Sequence, residues 1–505
     1  MKGYESMSRK KIIVIGAGVS GLASAVRLLN EGFEVEIYEK NTEVGGRMGV
    51  ISENGFTFDL GPTILMMPQI YQEVFSNCGR NPADYLQMER LDPIYKVYFG
   101  DGTTHEASSE LSSLIKTLES VSEAETQGYL AYLADVYKRY LVAKEHFIDR
   151  SFRKATDFYN PKTLLAGLRL RTFDNAFDSV GKFVKDQKLK ELLSFQTLYI
   201  GISPFNGPSI YTIIPMIELT YGVWFLKGGM RAMALAMEKL FLEMGGKLFL
   251  DAPVEAINFD GKVARSVTVN GDAKTADGVV CSADFPYAMK SLLPDDFKHK
   301  KYQPAKVAEL DYSCSAYMLY LGLDKRDFPG LNVHNLVFSK DFKGNLEDIF
   351  AGRFPADPSI YVYAPALLDE SLAPPGQLGL YVLVPVPNLK DGPLPWADET
   401  AVAGYRRQAL EKIRQILPLE DFEQHIIFEK AYTPRDFRDD FNALFGATFG
   451  LRPTLLQSNY WRPQPKAMGY QNLYFAGSSA HPGAGVPIVL TSAKITVAEV
   501  VRDFK

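Results

Sequence analysis

Gly16, Gly18 and Gly21 stand in the order GAGVSG, directly after the apolar run KIIVI at 11–15, and Glu39 follows eighteen residues after Gly21. Residue types in this order suit the holding of a dinucleotide. Gly16 permits a tight turn, Gly18 lets the backbone approach a pyrophosphate, and Gly21 lets a helix pack close on its strand. A pyrophosphate then rests on the helix N-terminus, where free N–H groups and the dipole favour negative charge. Glu39 closes a second strand at 34–38 and can accept hydrogen bonds from a ribose, with Lys40 beside it. Six residues after Glu39, Gly45-Gly46-Arg47 adds another close backbone approach and a guanidinium able to pair with the second phosphate. That addition turns the expectation from NAD to FAD. No second GxGxxG occurs, since the GAG at 483–485 continues Val-Pro-Ile. A nicotinamide-dinucleotide domain is therefore not expected, and a flavin here would take its electrons from the substrate itself.

The elements that must position these residues begin with a βαβ unit at about 9–70. An extended segment, FTFDLGPT at 56–63, ends in a turn. Residues 110–200 read largely helical, with Leu111, Leu114, Ile115 and Leu118 at helical spacing. An apolar run from 209 leads into Lys227-Gly228-Gly229-Met230 and a helix at 231–244. Short β patterns follow at 247–250 and 254–257, and 262–269 is expected to pair with 278–281. Strand-like runs at 315–323, 359–364 and 379–386 share the next stretch with a helix at 401–416. The chain closes with a strand at 472–477, the turn HPGAGVP and a helix at 488–501. The interleaving predicts an α/β fold in which a Rossmann-like dinucleotide domain is assembled from 9–75, 225–290 and 460–505. A second domain, largely helical at 76–224 and mixed sheet at 291–459, is inserted between those pieces.

Composition narrows the classes. At 505 residues, 46% hydrophobic and 23% charged, the chain reads as globular, with room for a large core. A net charge of −5 argues against nucleic acid as the main partner. Cys78, Cys281 and Cys314 form no CxxC, so neither a zinc site nor a disulfide framework is indicated, and buried thiols in a reducing cytoplasm are expected. His105, His146, His299, His334, His425 and His481 show no HxH or HExxH spacing, so no protein-ligated metal is expected. The apolar stretch 12–25 is explained by the glycine motif inside it rather than by a signal peptide. The longest candidate span, 210–226, is broken by Pro215 and Glu218, so no membrane crossing is expected.

Taken together, these residues resemble the flavin-dependent carotenoid (phytoene-type) desaturases of bacteria, and within them the branch acting on thirty-carbon precursors of the dehydrosqualene (diapophytoene) kind. The resemblance runs over essentially the whole chain. It is carried by GAGVSGLA, GGRM, GFTFDLGPTILMMP, FQTLYIGISPFNGPSIYTIIPMIE, DYSCSAYMLYLG, DPSIYVYAPA, FGLRPTLLQSNYWRPQ and HPGAGVPIVLTSAKITV. It implies a bipartite FAD fold of the amine oxidase and GDP-dissociation-inhibitor type, with an inserted α+β substrate domain. It implies a lipid-soluble polyene substrate and peripheral attachment to the cytoplasmic face of the cell membrane. Carried over by motif, Gly16, Gly18, Gly21, Glu39, Lys40, Gly45, Gly46 and Arg47 would hold the adenosine and pyrophosphate of FAD. Gly61, Pro62 and Thr63 would lie near the isoalloxazine, and Val254 would meet the adenine through its backbone. Gly477 and Gly485-Val486-Pro487 would close the other side. One departure is visible: many relatives carry an acid after the C-terminal strand glycine, where this chain has Ser478 and Ser479.

The same fold also serves carotenoid terminal-methyl oxidases, forty-carbon phytoene desaturases, reduced-flavin isomerases and prenyl-lipid escorts that do no redox work. The wording TILMMP, TIIPMIE and HPGAGVPIVLTSAK favours the desaturase, and intact GGR, GPT and GAGVP argue for a retained flavin. An amine oxidase would need an aromatic cage at the flavin, for which Tyr460-Trp461 is a faint candidate.

Desaturation removes a hydride from a CH₂–CH₂ unit beside double bonds, leaves a delocalised allylic cation, and then sheds a proton. The protein must hold the chain and exclude water. Candidates for the proton are His481 beside the GAG turn, Glu218 in an apolar stretch that would raise its pKa, and Arg153 and Asp157 in SFRKATDFYN. Each has a structural alternative, respectively a turn cap, a paired junction carboxylate and a surface pair. A proton leaving to water or to a flavin oxygen would need no base at all. Residues 149–190 hold ten Lys and Arg against five Asp, an excess of five positive charges in a chain whose net charge is −5. Leu164, Leu165, Leu168 and Leu170 lie among them, as a segment resting on an anionic lipid surface would require.

Overall fold

The computed structural model describes residues 9–294, 300–392, 396, 398–417 and 419–505; His299 lies outside them. Its organising element is a five-stranded parallel sheet in the order Lys247–Phe249, Glu34–Tyr38, Lys11–Ile15, Gly278–Cys281, Leu473–Phe475. Three separated stretches of chain thus build one sheet. The central strand KIIVI is apolar on both faces because both faces are covered. Ile12 and Val14 pack into a cluster with Leu22 and Val26 of helix Val19–Asn30, Met237 of helix Arg231–Glu243 and Leu490 of helix Val486–Phe504. Ile13 and Ile15 point the other way, into Ile257, Ala264 and Val267.

Those last residues belong to an antiparallel meander, Val254–Asp260, Val263–Val269 and Asp272–Thr275. This corrects the expected pairing of 262–269 with 278–281. Gly278–Cys281 is buried along its whole length and belongs in the middle of the parallel sheet, between Lys11–Ile15 and Leu473–Phe475. Val263–Val269, with its Arg265 exposed, pairs with its sequence neighbours and lies over the sheet as a cover. The two segments are close because one packs over the other, and closeness in chain does not distinguish packing from pairing. Cys281 and Cys314 are buried, but Cys78 is only half-buried.

A seven-stranded mixed sheet forms the second body, in the order Ile426–Tyr432, Ser315–Leu323, Leu378–Val386, Ile360–Tyr363, His334–Val337, Tyr95–Tyr98, Thr104–Ala107. Neighbouring strands are antiparallel except His334–Val337 and Tyr95–Tyr98, which run parallel. Helix Glu399–Ile416 covers one face with Leu410 and Ile413. The opposite face carries Met318, Leu336, Tyr361, Tyr381 and Leu383, which line a cavity. Helices Leu111–Val121 and Glu123–Ala143, the second N-capped by Ser122, build out the region between the two sheets in sequence.

Candidate active site

The first strand ends at Ile15, and the chain turns on Gly16, whose φ of +92° falls in the region that glycine adopts without strain. Ser282, at the end of the neighbouring strand, donates its hydroxyl to the carbonyls of Ile15 (2.9 Å) and Gly16 (3.1 Å) and so pins the turn. Gly18 then caps helix Val19–Asn30, and no side chain caps the helix's first N–H groups. A Cβ on Gly18 would meet no protein atom within 4 Å, so the site is open where a phosphate would approach. Gly21 serves differently: its Cβ would lie 2.0 Å from the Gly16 carbonyl oxygen. It is not on the cavity wall, so its place in the cofactor set is corrected to helix–strand packing.

Glu39 is buried, and its carboxylate accepts the N–H of Ala17 (2.7 Å) and of Asn41 (2.9 Å). Both bonds lock it at the rim of the glycine turn. Arg47 donates from Nη1 to Ser478 Oγ at 2.8 Å, and its Nη2 lies 3.9 Å from Asp284. Its buried Nε has no hydrogen-bond partner among the described residues, a donor left for an anion. Asp284 follows the Gly278–Cys281 strand and accepts from Ser479 Oγ at 2.6 Å. The acid absent after Gly477 is thus supplied from another stretch of chain.

One continuous cavity of about 460 Å³ runs from this cradle to the seven-stranded sheet, inside the roughly 300–1,000 Å³ span of ligand clefts. Gly16, Gly18, Glu39, Lys40, Gly45, Gly46, Arg47, Gly61, Pro62, Thr63, Val254, Gly477, Gly485, Val486 and Pro487 all line it. The mouth of the cradle lies outside the carboxyl ends of the parallel strands, where such sheets bind ligands. Its far end is apolar, walled by Phe195, Leu198, Leu336, Phe338, Phe342 and Leu383. Tyrosines of the sheet hold the loop after Asp59 in place: Tyr381 donates to the Gly61 carbonyl at 2.8 Å and Tyr320 to that of Leu60 at 3.4 Å. Asp59 itself is fully buried, and burial pushes its carboxyl up to about 7 against hydrogen bonds from the backbone N–H groups of Arg231 and Met230.

The proton-accepting candidates fare unequally. His481 is buried off the cavity, its Nε2 against the Arg150 carbonyl at 2.8 Å, and burial lowers it to about 4. It ties two loops together and cannot reach a substrate. Arg153 pairs with Glu499 and, at 2.9 Å, with Asp503 on the last helix. Asp157 accepts the Lys154 N–H at the start of its own helix. Neither lines the cavity, and both are corrected to structural roles. Tyr460 and Trp461 pack on Phe158, also off the cavity, so they form no cage there. Glu218 is buried behind the wall, its Oε1 accepting from Tyr95 (2.7 Å) and Gln196 (3.1 Å), with cavity-lining Tyr199 against it. Burial pushes its carboxyl up to about 7 against those hydrogen bonds.

Sequence reasoning missed Asp284, Ser282 and a buried chain formed by Thr63, Tyr361 and His334. It also missed Arg462, fully buried, which donates to the carbonyls of Ala480, Gln457, Leu451 and Ser478 and so shapes the loop after Gly477. A run of GAG, GGR or GPT carries its meaning in the sequence; these side chains acquire theirs only from strands distant in the chain.

The signature of flavin-containing amine oxidoreductases matches residues 19–501. The chain belongs to that family and, within it, to the bacterial carotenoid desaturases. A curated relative from a bovine strain of Staphylococcus aureus, a 4,4'-diapophytoene desaturase (4,4'-diaponeurosporene-forming), is 49% identical over 98% of this chain and 99% of its own. The Newman strain's protein of the same name is 48% identical over the same shares. Among solved structures, an oxidoreductase from Methanosarcina mazei is similar with a TM-score of 0.64 at 17% identity, covering 97% of this chain and 100% of its own. Cyclohexylamine oxidase from Brevibacterium oxydans is similar with a TM-score of 0.59 at 13% identity, covering 98% and 100%. The fold is the Rossmann-like flavoprotein fold of amine oxidases with a second α+β body, and the cofactor of this flavin-dependent oxidoreductase is FAD. The open approach at Gly18, the fixed carboxylate of Glu39 and the free Nε of Arg47 fit its adenosine and pyrophosphate.

Proposed function

We propose that this protein introduces conjugated double bonds into a thirty-carbon carotenoid precursor, converting dehydrosqualene (4,4'-diapophytoene) to diaponeurosporene or diapolycopene. The observation that carries the reading is the cavity: a dinucleotide cradle at one end opens without a break into an apolar slot at the other. Bound FAD supplies the two-electron acceptor. The chain's own residues supply position and dryness. Phe195, Leu198, Phe338, Phe342 and Leu383 hold an apolar chain by surface burial and offer no charge to a passing cation. Pro62 and Thr63 bound the slot beside the cradle, with the Gly61 carbonyl held by Tyr381 and Thr63 by Tyr361. The relatives' thirty-carbon activity at 49% identity supports the substrate length.

Such a substrate lives in lipid, and the surface favours docking on it. No helix among the described residues is long and apolar enough to cross a membrane. Helix Pro161–Arg169, N-capped by Asn160, turns its small residues Thr163 and Ala166 inward and its leucines outward. Leu164, Leu165 and Leu168 are 68%, 53% and 63% exposed, and Phe173 is 87% exposed. Lys162, Arg169 and Arg171 stand exposed among them. An apolar edge rimmed with cations suits the headgroup boundary of an anionic leaflet on the cytoplasmic face.

Expression in a pigment-free bacterium making dehydrosqualene tests the activity. Stepwise red-shifted polyene bands in the lipid extract are expected, and their positions count the steps. Colour with phytoene alone would replace the substrate. No colour with either, despite bound FAD, would overturn the desaturase reading in favour of the methyl oxidase or the isomerase.

A further inference from the structure

Three cavity-side groups form a hydrogen-bonded chain that the proposed reaction has so far left without a task. Thr63 Oγ1 and Tyr361 Oη are 2.7 Å apart, and Tyr361 Oη and His334 Nδ1 are 2.7 Å apart. Thr63 and Tyr361 line the cavity, while His334 lies behind them, 1% exposed. The imidazole is stacked on Tyr363 at 4.9 Å and 11°, its partner across the strand pair, so its ring plane is fixed. Burial lowers His334 to about 3, so it is a neutral imidazole with a lone pair to offer. Its Nε2 has no hydrogen-bond partner among the described residues. All of its polar contact is therefore spent on Tyr361.

Resting on the desaturase reading above, we propose that Tyr361 takes up the proton released in each desaturation, passing its own phenolic proton to His334 while Thr63 holds the phenol in place. The bookkeeping of the step closes. The hydride leaves with its electron pair to the cofactor, and the adjacent C–H bond breaks. Its electron pair forms the new double bond, and its proton goes to Tyr361 Oη. The phenolic O–H proton moves to His334 Nδ1, which becomes an imidazolium. When product has left, the proton returns through Tyr361 to water at the cavity mouth. A buried imidazolium is costly, but an allylic cation is a far stronger acid, so the transfer runs downhill. Glu218 is less suited, because it lies behind the wall, with cavity-lining Tyr199 against it, and does not itself reach the cavity. Tyr361 is then a catalytic residue and His334 a positioning residue that acts through it.

The experiment has two arms on the FAD-loaded full chain. In the first, ¹⁵N-histidine NMR without substrate reads the His334 ring. An unprotonated Nδ1 at neutral pH, with a signal that moves in Y361F, is expected; a protonated Nδ1 would overturn the relay. In the second, anaerobic flavin bleaching is followed with dehydrosqualene in vesicles. Y361F is expected to keep its FAD and lose roughly 10²- to 10⁴-fold in rate, the span of a positioned acid–base group. H334A is expected to lose rate and regain part of it with added imidazole, which a merely structural histidine would not show. Y361F bleaching within threefold of wild type sinks the relay while the desaturase reading stands. Wild-type protein that fails to bleach sinks that reading instead, and the relay with it. Should Y361F not fold, the wild-type NMR signal alone decides.

Discussion

Arg47 Nη1 donates to Ser478 Oγ at 2.8 Å across 431 residues of chain, and Asp284, from a third stretch, lies 3.9 Å from the same guanidinium. The cofactor cradle is therefore closed by side chains from every piece that contributes to the parallel sheet. Arg47 is held on one side by a hydroxyl and a carboxylate, with Nε left over. With a phosphate on that Nε, as we propose, replacing Arg47 with alanine is expected to remove a charge-assisted bond of about 1.5–3 kcal/mol and so to weaken FAD binding by about 10- to 100-fold. Titration of the apoprotein with FAD, followed by fluorescence, checks this. Unchanged affinity in R47A would mean that the guanidinium serves only the loop after Gly477.

Gly18 and Gly21 are three residues apart and separate cofactor binding from folding. A Cβ on Gly21 would stand 2.0 Å from the Gly16 carbonyl oxygen and 2.6 Å from Ser282 Oγ, backbone and a pinned hydroxyl that cannot both retreat. Gly21→Ala is expected to destabilise the protein by about 3 kcal/mol or more and to lose FAD as a consequence. A Cβ on Gly18 meets nothing in the protein. Gly18→Ala should keep its melting temperature as apoprotein and lose affinity for FAD. Melting curves of both apoproteins, with FAD content measured alongside, separate the two.

The part of this site that was legible in the sequence is the part made by neighbours in chain. GAGVSG and Glu39 define one βαβ unit, and their spacing alone brings the carboxylate to the turn, as the Glu39–Ala17 bond records. Glycine motifs state their own geometry because few other residues tolerate it. The run 262–269 is a strand as expected but pairs with Val254–Asp260 and Asp272–Thr275, because strand pairing depends on where the chain returns in space and not on the strand's own residues. His481 looked catalytic because it stands beside a cofactor turn, yet its ring faces the Arg150 carbonyl on the far side. Tyr361 and His334 gave no signal, since a tyrosine in IYVY reads as an ordinary strand residue until strand order sets it facing Thr63.

Asp59 and Glu218 make stability depend on pH. Both are fully buried, and burial pushes each carboxyl to about 7. A carboxyl whose folded pKa lies above its unfolded value binds its proton more tightly in the folded state. Its contribution is complete below about 4 and is lost as pH rises through about 7. Each is expected to lower stability by on the order of 3 kcal/mol across that window. Glu218→Gln keeps a carbonyl oxygen for Tyr95 and Gln196 and removes the titration. Denaturant unfolding from pH 5 to pH 8 should show a shallower decline in E218Q than in wild type. Parallel slopes would mean that the Glu218 carboxyl ionises equally easily folded and unfolded.

In the membrane docking we propose, Leu164, Leu165 and Leu168 and the cations beside them would contribute through different physics, and variants can tell them apart. The leucines would bury apolar surface worth about 25 cal/mol per Å², a term that salt does not screen. Lys162 and Arg169 would contribute about 1 kcal/mol each against anionic lipid, a term that salt does screen. Changing all three leucines to serine is expected to lower flotation with liposomes at least about tenfold at low and high salt alike. The helix should survive, since its inward face is Thr163 and Ala166. K162Q/R169Q is expected to weaken flotation with anionic liposomes at low salt only. If the leucine variant floats as wild type does, this helix is not the docking face. If wild type itself stays soluble with anionic and neutral vesicles, the protein must draw its substrate from a carrier rather than from the bilayer.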